Sequence, residues 1–274
     1  MTVLKLNTIH KGDCLELLDR IEVGTIDMVF ADPPYNLSGK TLNLKGSKTG
    51  GDWFKVNEKW DVYTDSEYQE FSNQWITKAA TALSDSGSIY VCCSQHNIDA
   101  VMHSLRLADC KINNILVWQK SNPMPNTTKR LYTHSVEFIV WAVKGKGWVF
   151  NAVELRDMNP DTQKDGSPRM MRDVWTFPVV QGEERLRGAD GRALHPTQKP
   201  LELVKRTIVA SSNIGQVILD PFMGSGTTAV AAKLLGRPWI GIERDDLYIE
   251  AAKERIAKTR VIKNPSKGVK HDLP

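Results

Sequence analysis

Apolar positions run almost unbroken through Thr25-Ile26-Asp27-Met28-Val29-Phe30-Ala31 and stop at the pair Pro33-Pro34. A short continuous apolar run ended by prolines predicts a strand buried on both faces that empties into a loop. Similar runs recur at residues 88–93, 112–118, 136–143, 216–219 and 238–242. Between several of them, apolar residues repeat at helical spacing over residues 67–83, 97–107, 200–211, 227–235 and 247–259. Strands alternating with helices predict an α/β fold, with a mostly parallel sheet and helices on both faces.

Two segments break this rhythm. Residues 37–61 are rich in Gly, Lys, Asn and Trp without periodicity, and residues 145–194 are polar, basic in patches and glycine-containing. Both exceed the length of ordinary connections, which predicts functional loops or recognition elements. The segment after Lys258 reads as a disordered basic tail over residues 261–274.

Composition narrows the picture only a little. Hydrophobic content of 41% and charged content of 25% are ordinary for a globular protein. No apolar run approaches the roughly 18 residues of a membrane span, and the start Met1-Thr2-Val3-Leu4-Lys5 has no secretory pattern, so no membrane partner and a cytoplasmic location are expected. Cys14, Cys92, Cys93 and Cys110 form no C-x-x-C pair, which predicts core thiols and no metal site. The net charge of +4 is compatible with a polyanionic partner without requiring one.

The chemistry is concentrated in two loops. Residues 216–228 read as a strand, a tight turn through Asp220-Pro221-Phe222-Met223-Gly224-Ser225-Gly226, and a helix start at Thr227-Thr228. Gly224 and Gly226 allow a sharp turn and close approach of backbone to a ligand. Glu243 ends the next apolar run, 23 positions after Asp220, where an acid can accept ribose hydroxyls. The loop lacks the Gly-Lys-Ser/Thr ending of a phosphate cradle, and Asp220 would repel a pyrophosphate. An adenosine joined to a sulfonium and an amino-acid ammonium suits this charge pattern, although a structural glycine turn alone would explain the glycines.

The other loop is Asp32-Pro33-Pro34-Tyr35, where successive prolines fix the backbone. An exocyclic base amine is a poor nucleophile because its lone pair is delocalised into the ring. The Asp32 carboxylate and the Pro33 carbonyl could bind its two hydrogens, and Tyr35 could stack on the base. This predicts direct in-line methyl transfer by orientation and electrostatics, on a base flipped out of the duplex or already single-stranded. Taken alone, Pro33-Pro34 would merely shape a turn.

Together these blocks resemble the amino-methylating DNA methyltransferases of the β arrangement, the N6-adenine/N4-cytosine family. In that permuted order, Asp32 to Tyr35 precedes the Phe222-Met223-Gly224-Ser225-Gly226 loop, with His195-Pro196-Thr197-Gln198-Lys199-Pro200 just before it. The resemblance covers nearly the whole chain from Ile9 to Ile256. It implies a Rossmann-like fold with a seven-stranded sheet and one reversed strand. It also implies S-adenosylmethionine as cofactor, and residues 1–144 and 195–260 as one catalytic domain.

The catalytic residues so implied are Asp32, Pro33, Pro34 and Tyr35. The cofactor set is Asp13, Asp32, His195, Thr197, Lys199, Asp220, Pro221, Phe222, Gly224, Ser225, Gly226, Thr227 and Glu243. Within it Asp13 contacts the adenine and Lys199 lies near the methionine carboxylate; read without the family, Asp13 is a helix N-cap and Lys199 a surface residue at a helix start. Asp32, where serine is common in cytosine-N4 enzymes, leans toward adenine-N6, with N4-cytosine as the alternative. The segments 117–126 and 132–137 look most like the DpnA-like adenine methyltransferases of GATC restriction-modification systems.

DNA recognition is expected in residues 145–194, where Lys146, Arg169, Arg172, Arg185, Arg187 and Arg192 could contact phosphates or guanine edges. Residues 40–60, with Lys45, Lys48, Trp53 and Trp60, could form a flap over the flipped base. A homodimer and functional pairing with a restriction endonuclease are both compatible with this reading. A silent DNA-binding module of the same fold stands as a rival, and so does an RNA or protein-glutamine methyltransferase. The latter uses Asn where this chain has Asp32.

Overall fold

The computed structural model describes residues 3–36, 62–125, 130–188 and 190–260. The expected flap over residues 40–60 and the expected tail over 261–274 therefore lie outside the described residues.

Eight strands form one sheet in the order β1 (Thr8–Lys11), β8 (Trp239–Glu243), β7 (Ile218–Asp220), β2 (Ile26–Ala31), β3 (Leu83–Cys93), β5 (Val136–Val143), β4 (Lys111–Lys120) and β6 (Val174–Phe177). All pairings are parallel except those of β5, which runs antiparallel to both β3 and β4. The mostly parallel sheet with one reversed strand is as expected, but it has eight strands rather than seven. The edge strand β6 comes from within the irregular 145–194 segment. At four residues with only Trp175 buried, it is too short to show a period in sequence.

The unbroken apolar run of β2 now has a physical reason. Val29 and Ala31 enter one core with Trp75, Ile76, Ala79, Val101 and Leu105 from α2 (Asp65–Ala82) and α3 (Ile98–Leu107). Met28 and Phe30 enter the opposite core with Leu203, Val204, Ile208, Ala229 and Ala231 from α5 (Leu201–Ser211) and α6 (Thr227–Leu234). Side chains alternate between sheet faces, so a strand covered by helices on both sides must be apolar at every position.

Helices begin where their caps dictate. Thr64 and Glu67 close a reciprocal capping box on α2, and Asp245 accepts from the Leu247 and Tyr248 amides at the start of α7 (Asp246–Lys258). Two short helices were not foreseen, α1 (Cys14–Leu18) and α4 (Ala152–Asp157); five or six residues give no readable period.

The chain passes from β7 to β8 on one side of the sheet and from β2 to β3 on the other, while β7 and β2 are paired neighbours. That junction is the topological switch point, and ligands of open α/β sheets bind outside the strand ends there. The Asp32-Pro33-Pro34-Tyr35 loop follows β2 and the glycine loop follows β7, so the two meet at this crevice.

Candidate active site

A cavity of about 390 Å³ opens at the junction, a volume within the range of small-molecule sites. It is lined by Asp32, Pro33, Pro34 and Tyr35, and by Asp13, His195, Thr197, Lys199, Asp220, Pro221, Phe222, Gly224, Ser225, Thr227 and Glu243. Of the sequence-predicted catalytic and cofactor residues only Gly226 is not in the lining. Its φ of +76° forms the αL N-cap of α6, and a Cβ there would lie 2.8 Å from the Ala252 Cβ. Its role is to let α6 pack against α7. Gly224 faces the cavity with φ +48°, and a Cβ on it would meet the His195 ring at 2.9 Å.

Asp220, Glu243 and Asp13 bring carboxylates to this space beside Asp32. Asp220 is buried, and burial pushes its carboxyl up to about 7, with Asp32 and Glu243 adding to the rise and hydrogen bonds from Thr228 and Phe222 opposing it. Glu243 accepts from the Gly224 amide at 2.8 Å, and from the Arg244 and Asp245 amides at 2.8 and 2.9 Å. It thus braces the glycine loop while retaining lone pairs toward the cavity. Asp13 serves as the N-cap of α1, accepting from the Leu15 amide at 2.8 Å, and lines the cavity as well.

An aromatic wall completes the lining with residues that sequence reasoning missed. Tyr63 stacks on Phe71 at 5.5 Å, Phe71 meets Phe222 edge-on at 6.1 Å, and Tyr248 packs on the His195 ring at 4.7 Å. Tyr63, Phe71 and Tyr248 are the missed ones, scattered along the chain and without a motif, whereas Phe222 and His195 belong to the predicted set. A cationic ligand with a flat purine finds acid charge and aromatic faces here, so the residues fit S-adenosylmethionine.

The Asp32 loop is held from beneath. The Tyr68 hydroxyl donates to the Pro34 carbonyl at 2.8 Å, and Asn97 Nδ2 donates to the Tyr68 oxygen at 2.7 Å. Lys199 Nζ donates to Asp32 Oδ2 at 2.7 Å; Oδ1 is equally near Nζ but misaligned for a hydrogen bond. The same ammonium lies 3.6 Å from Glu137 and 5.1 Å from the centre of the Tyr35 ring. The resemblance assigned Lys199 to the cofactor carboxylate; its ammonium here faces the acid pair.

Glu137, at the second position of β5, also accepts from the Tyr35 hydroxyl at 3.2 Å and pairs with Lys120 at 2.7 Å. Burial pushes the Asp32 carboxyl up, only partly offset by Lys199. Burial opposes the Glu137 charge too, but Lys199 and Lys120 outweigh it and hold that carboxyl below its usual range. Burial likewise opposes the Lys199 charge, but Asp32 and Glu137 hold the ammonium above the ordinary lysine value.

The four cysteines are buried free thiols, as expected, and burial raises the Cys14 thiol to about 12. Among the described residues no cluster could hold a metal ion, and no helix is long and apolar enough to cross a membrane. The basic residues of 145–194 divide. Arg169, Arg172, Arg187 and Arg192 are exposed, whereas half-buried Arg185 donates to the Pro196 carbonyl at 3.0 Å. Lys146 follows the C-terminal end of reversed β5, at the sheet edge opposite the cavity.

The fold and the site define an S-adenosylmethionine-dependent methyltransferase. Residues 26–254 match the DNA methylase family that joins N6- and N4-directed enzymes, and the chain belongs to that family. It is 37% identical over 260 residues to the type II methyltransferase M.HinfI of Haemophilus influenzae, covering 93% of this chain and 69% of that protein. It is 38% identical over 266 residues to the type II methyltransferase M2.MboI of Moraxella bovis, covering 94% and 91%.

Among solved structures, the M1.HpyAVI–S-adenosylmethionine complex superposes with a TM-score of 0.64 at 28% identity, over 91% of this chain and 98% of that one. The cytosine-N4-specific PvuII DNA methyltransferase shares the fold with a TM-score of 0.70 at 17% identity, over 95% and 89%. The chain is a type II DNA methyltransferase that uses S-adenosylmethionine.

Proposed function

We propose that this enzyme methylates the N6 amino group of adenine in DNA, acting on a base flipped out of the duplex. The observation that carries the reading is that the Asp32 loop and the glycine loop, remote in sequence, open into one cavity. The bound cofactor supplies an electrophilic methyl carbon. Asp32 accepts a hydrogen of the target amine and stabilises the positive charge that grows on its nitrogen. The Pro33 carbonyl accepts the second hydrogen, and Pro33-Pro34 with Tyr68 keeps the acceptors fixed, so little reorganisation is needed. Tyr35 offers its face to the extruded base.

Asp220, Glu243, Asp13 and the aromatic wall hold the cofactor, with His195 and Thr197 covering its methionine end. Exposed Arg169, Arg172, Arg187 and Arg192 serve DNA contact. The type II relatives support pairing with a restriction endonuclease, GATC as target site is carried over from the sequence resemblance, and a homodimer fits the same context.

Transfer of labelled methyl to DNA, followed by mapping of the modified base, tests the proposal. N6-methyladenine is expected, and Asp32→Ala is expected to lower incorporation at least 10²-fold with the cofactor still bound. N4-methylcytosine in the product would overturn the adenine reading, and an active Asp32→Ala would overturn the role of the loop.

A further inference from the structure

Glu137 lies beside the reacting centre, yet the reaction as derived leaves it without a task. Its side chain is 17% exposed and that of Lys199 is 5% exposed. The Lys199 ammonium thus has two half-buried acceptors at unequal distances, Asp32 at 2.7 Å and Glu137 at 3.6 Å. While the ammonium sits on Asp32, it cancels the negative potential that would favour positive charge growing on a bound amine. For Asp32 to act, the ammonium has to withdraw. A buried ammonium cannot withdraw without a second partner, because a charge left unpaired inside a protein is strongly disfavoured.

We propose that Glu137 is a positioning residue that receives the Lys199 ammonium when the target amine takes its place on Asp32. The inference rests on the reading that Asp32 accepts that amine. A lysine terminus spans a change of this size by torsion about its last bonds, with no backbone movement. Lys120, 2.7 Å from the other Glu137 oxygen, competes with Lys199 for its charge. Tyr35, donating to Oε2 at 3.2 Å, fixes the oxygen that faces Lys199. Cys92 and Cys93 face the same groups but stay protonated, because burial pushes both thiols up.

The test compares the full-length protein with E137Q, E137D and K120Q at saturating DNA and cofactor. E137Q should lower kcat at least tenfold, with cofactor Kd within twofold of wild type, and E137D should fall between the two. K120Q should keep kcat at or above the wild-type value, since Glu137 is then freer to hold Lys199. A purely structural Lys120–Glu137 pair would make K120Q as slow as E137Q, and that result overturns the proposal. Wild-type kcat in E137Q overturns it as well.

Should E137Q fail to fold, E137D decides: an unchanged kcat is the negative result. D32A separates the two levels. An active D32A removes the underlying reading, whereas an inactive D32A beside a fast E137Q removes only the part assigned to Glu137.

Discussion

Asp32 and Lys199, 167 residues apart in the chain, form an ion pair at 2.7 Å at the switch point of the sheet. The pair links the loop after β2 to the segment entering α5, so the Asp32 loop is tied by charge to that segment as well as by strand pairing to the glycine loop after β7. Glu137 and Lys120 extend it into a network of two acids and two lysines reaching the reversed strand. Buried networks of this kind add little to stability when complete and cost several kcal/mol when one member is lost. Only Lys199 touches Asp32 directly; Lys120 balances Glu137 from its other oxygen.

Asp220 is expected to set a pH dependence of cofactor binding. Its carboxyl, ordinarily near 3.8, is raised to about 7, so below that pH it is protonated and must lose its proton to face a cation. Release of one proton makes affinity about tenfold weaker at pH 6 than at pH 8. Titration calorimetry at the two pH values should show this loss, and Asp220→Asn should abolish the difference while weakening binding at pH 8. The sign for stability is opposite: a raised acid loses folding free energy as pH rises from about 4 to about 7, and the loss is constant above that. Asp220→Asn should therefore raise the melting temperature at pH 8 and leave it unchanged at pH 4.

Gly226→Ala should destabilise the fold by about 2–4 kcal/mol, combining a left-handed backbone with overpacking. The φ of +76° and the 2.8 Å approach to the Ala252 Cβ leave no relief except movement of α6 from α7. Chemical denaturation measures it, and a loss below 1 kcal/mol would mean the helices part freely.

Tyr68→Phe removes one hydroxyl that serves two partners, the Pro34 carbonyl and the Asn97 amide. Leaving buried partners unsatisfied costs about 1–3 kcal/mol. The expected signature is a lower kcat for DNA methylation at unchanged cofactor affinity, because the loosened loop holds the base amine rather than the cofactor. Steady-state kinetics with a matched binding titration checks the split.

Much of the architecture was legible in the chain. The apolar runs of β2, β3 and β5 could be read because both faces of the sheet are covered, and α2, α3, α5, α6 and α7 because each is long enough to show its period. Strands β1 and β6 and helices α1 and α4 were not legible, since four to six residues carry too little pattern. Asp32 to Tyr35 and Asp220 to Gly226 stood out because prolines and glycines mark special backbone. Glu137, Tyr68, Tyr63 and Phe71 had no such mark; an acid in a strand and aromatics in or just before a helix are ordinary until their neighbours are known.

The sequence by itself determined the local chemistry: a rigid acid-proline loop, a glycine turn with an acid before it, and strands that must be buried. Those follow from backbone geometry and side-chain period, which act over a few residues. Only the tertiary structure decided that β2 and β7 are neighbours, that Lys199 faces Asp32, and that Glu137 on the reversed strand stands beside both. Such pairings depend on the order of strands in the sheet, and distances across a sheet are set by topology and packing rather than by separation along the chain.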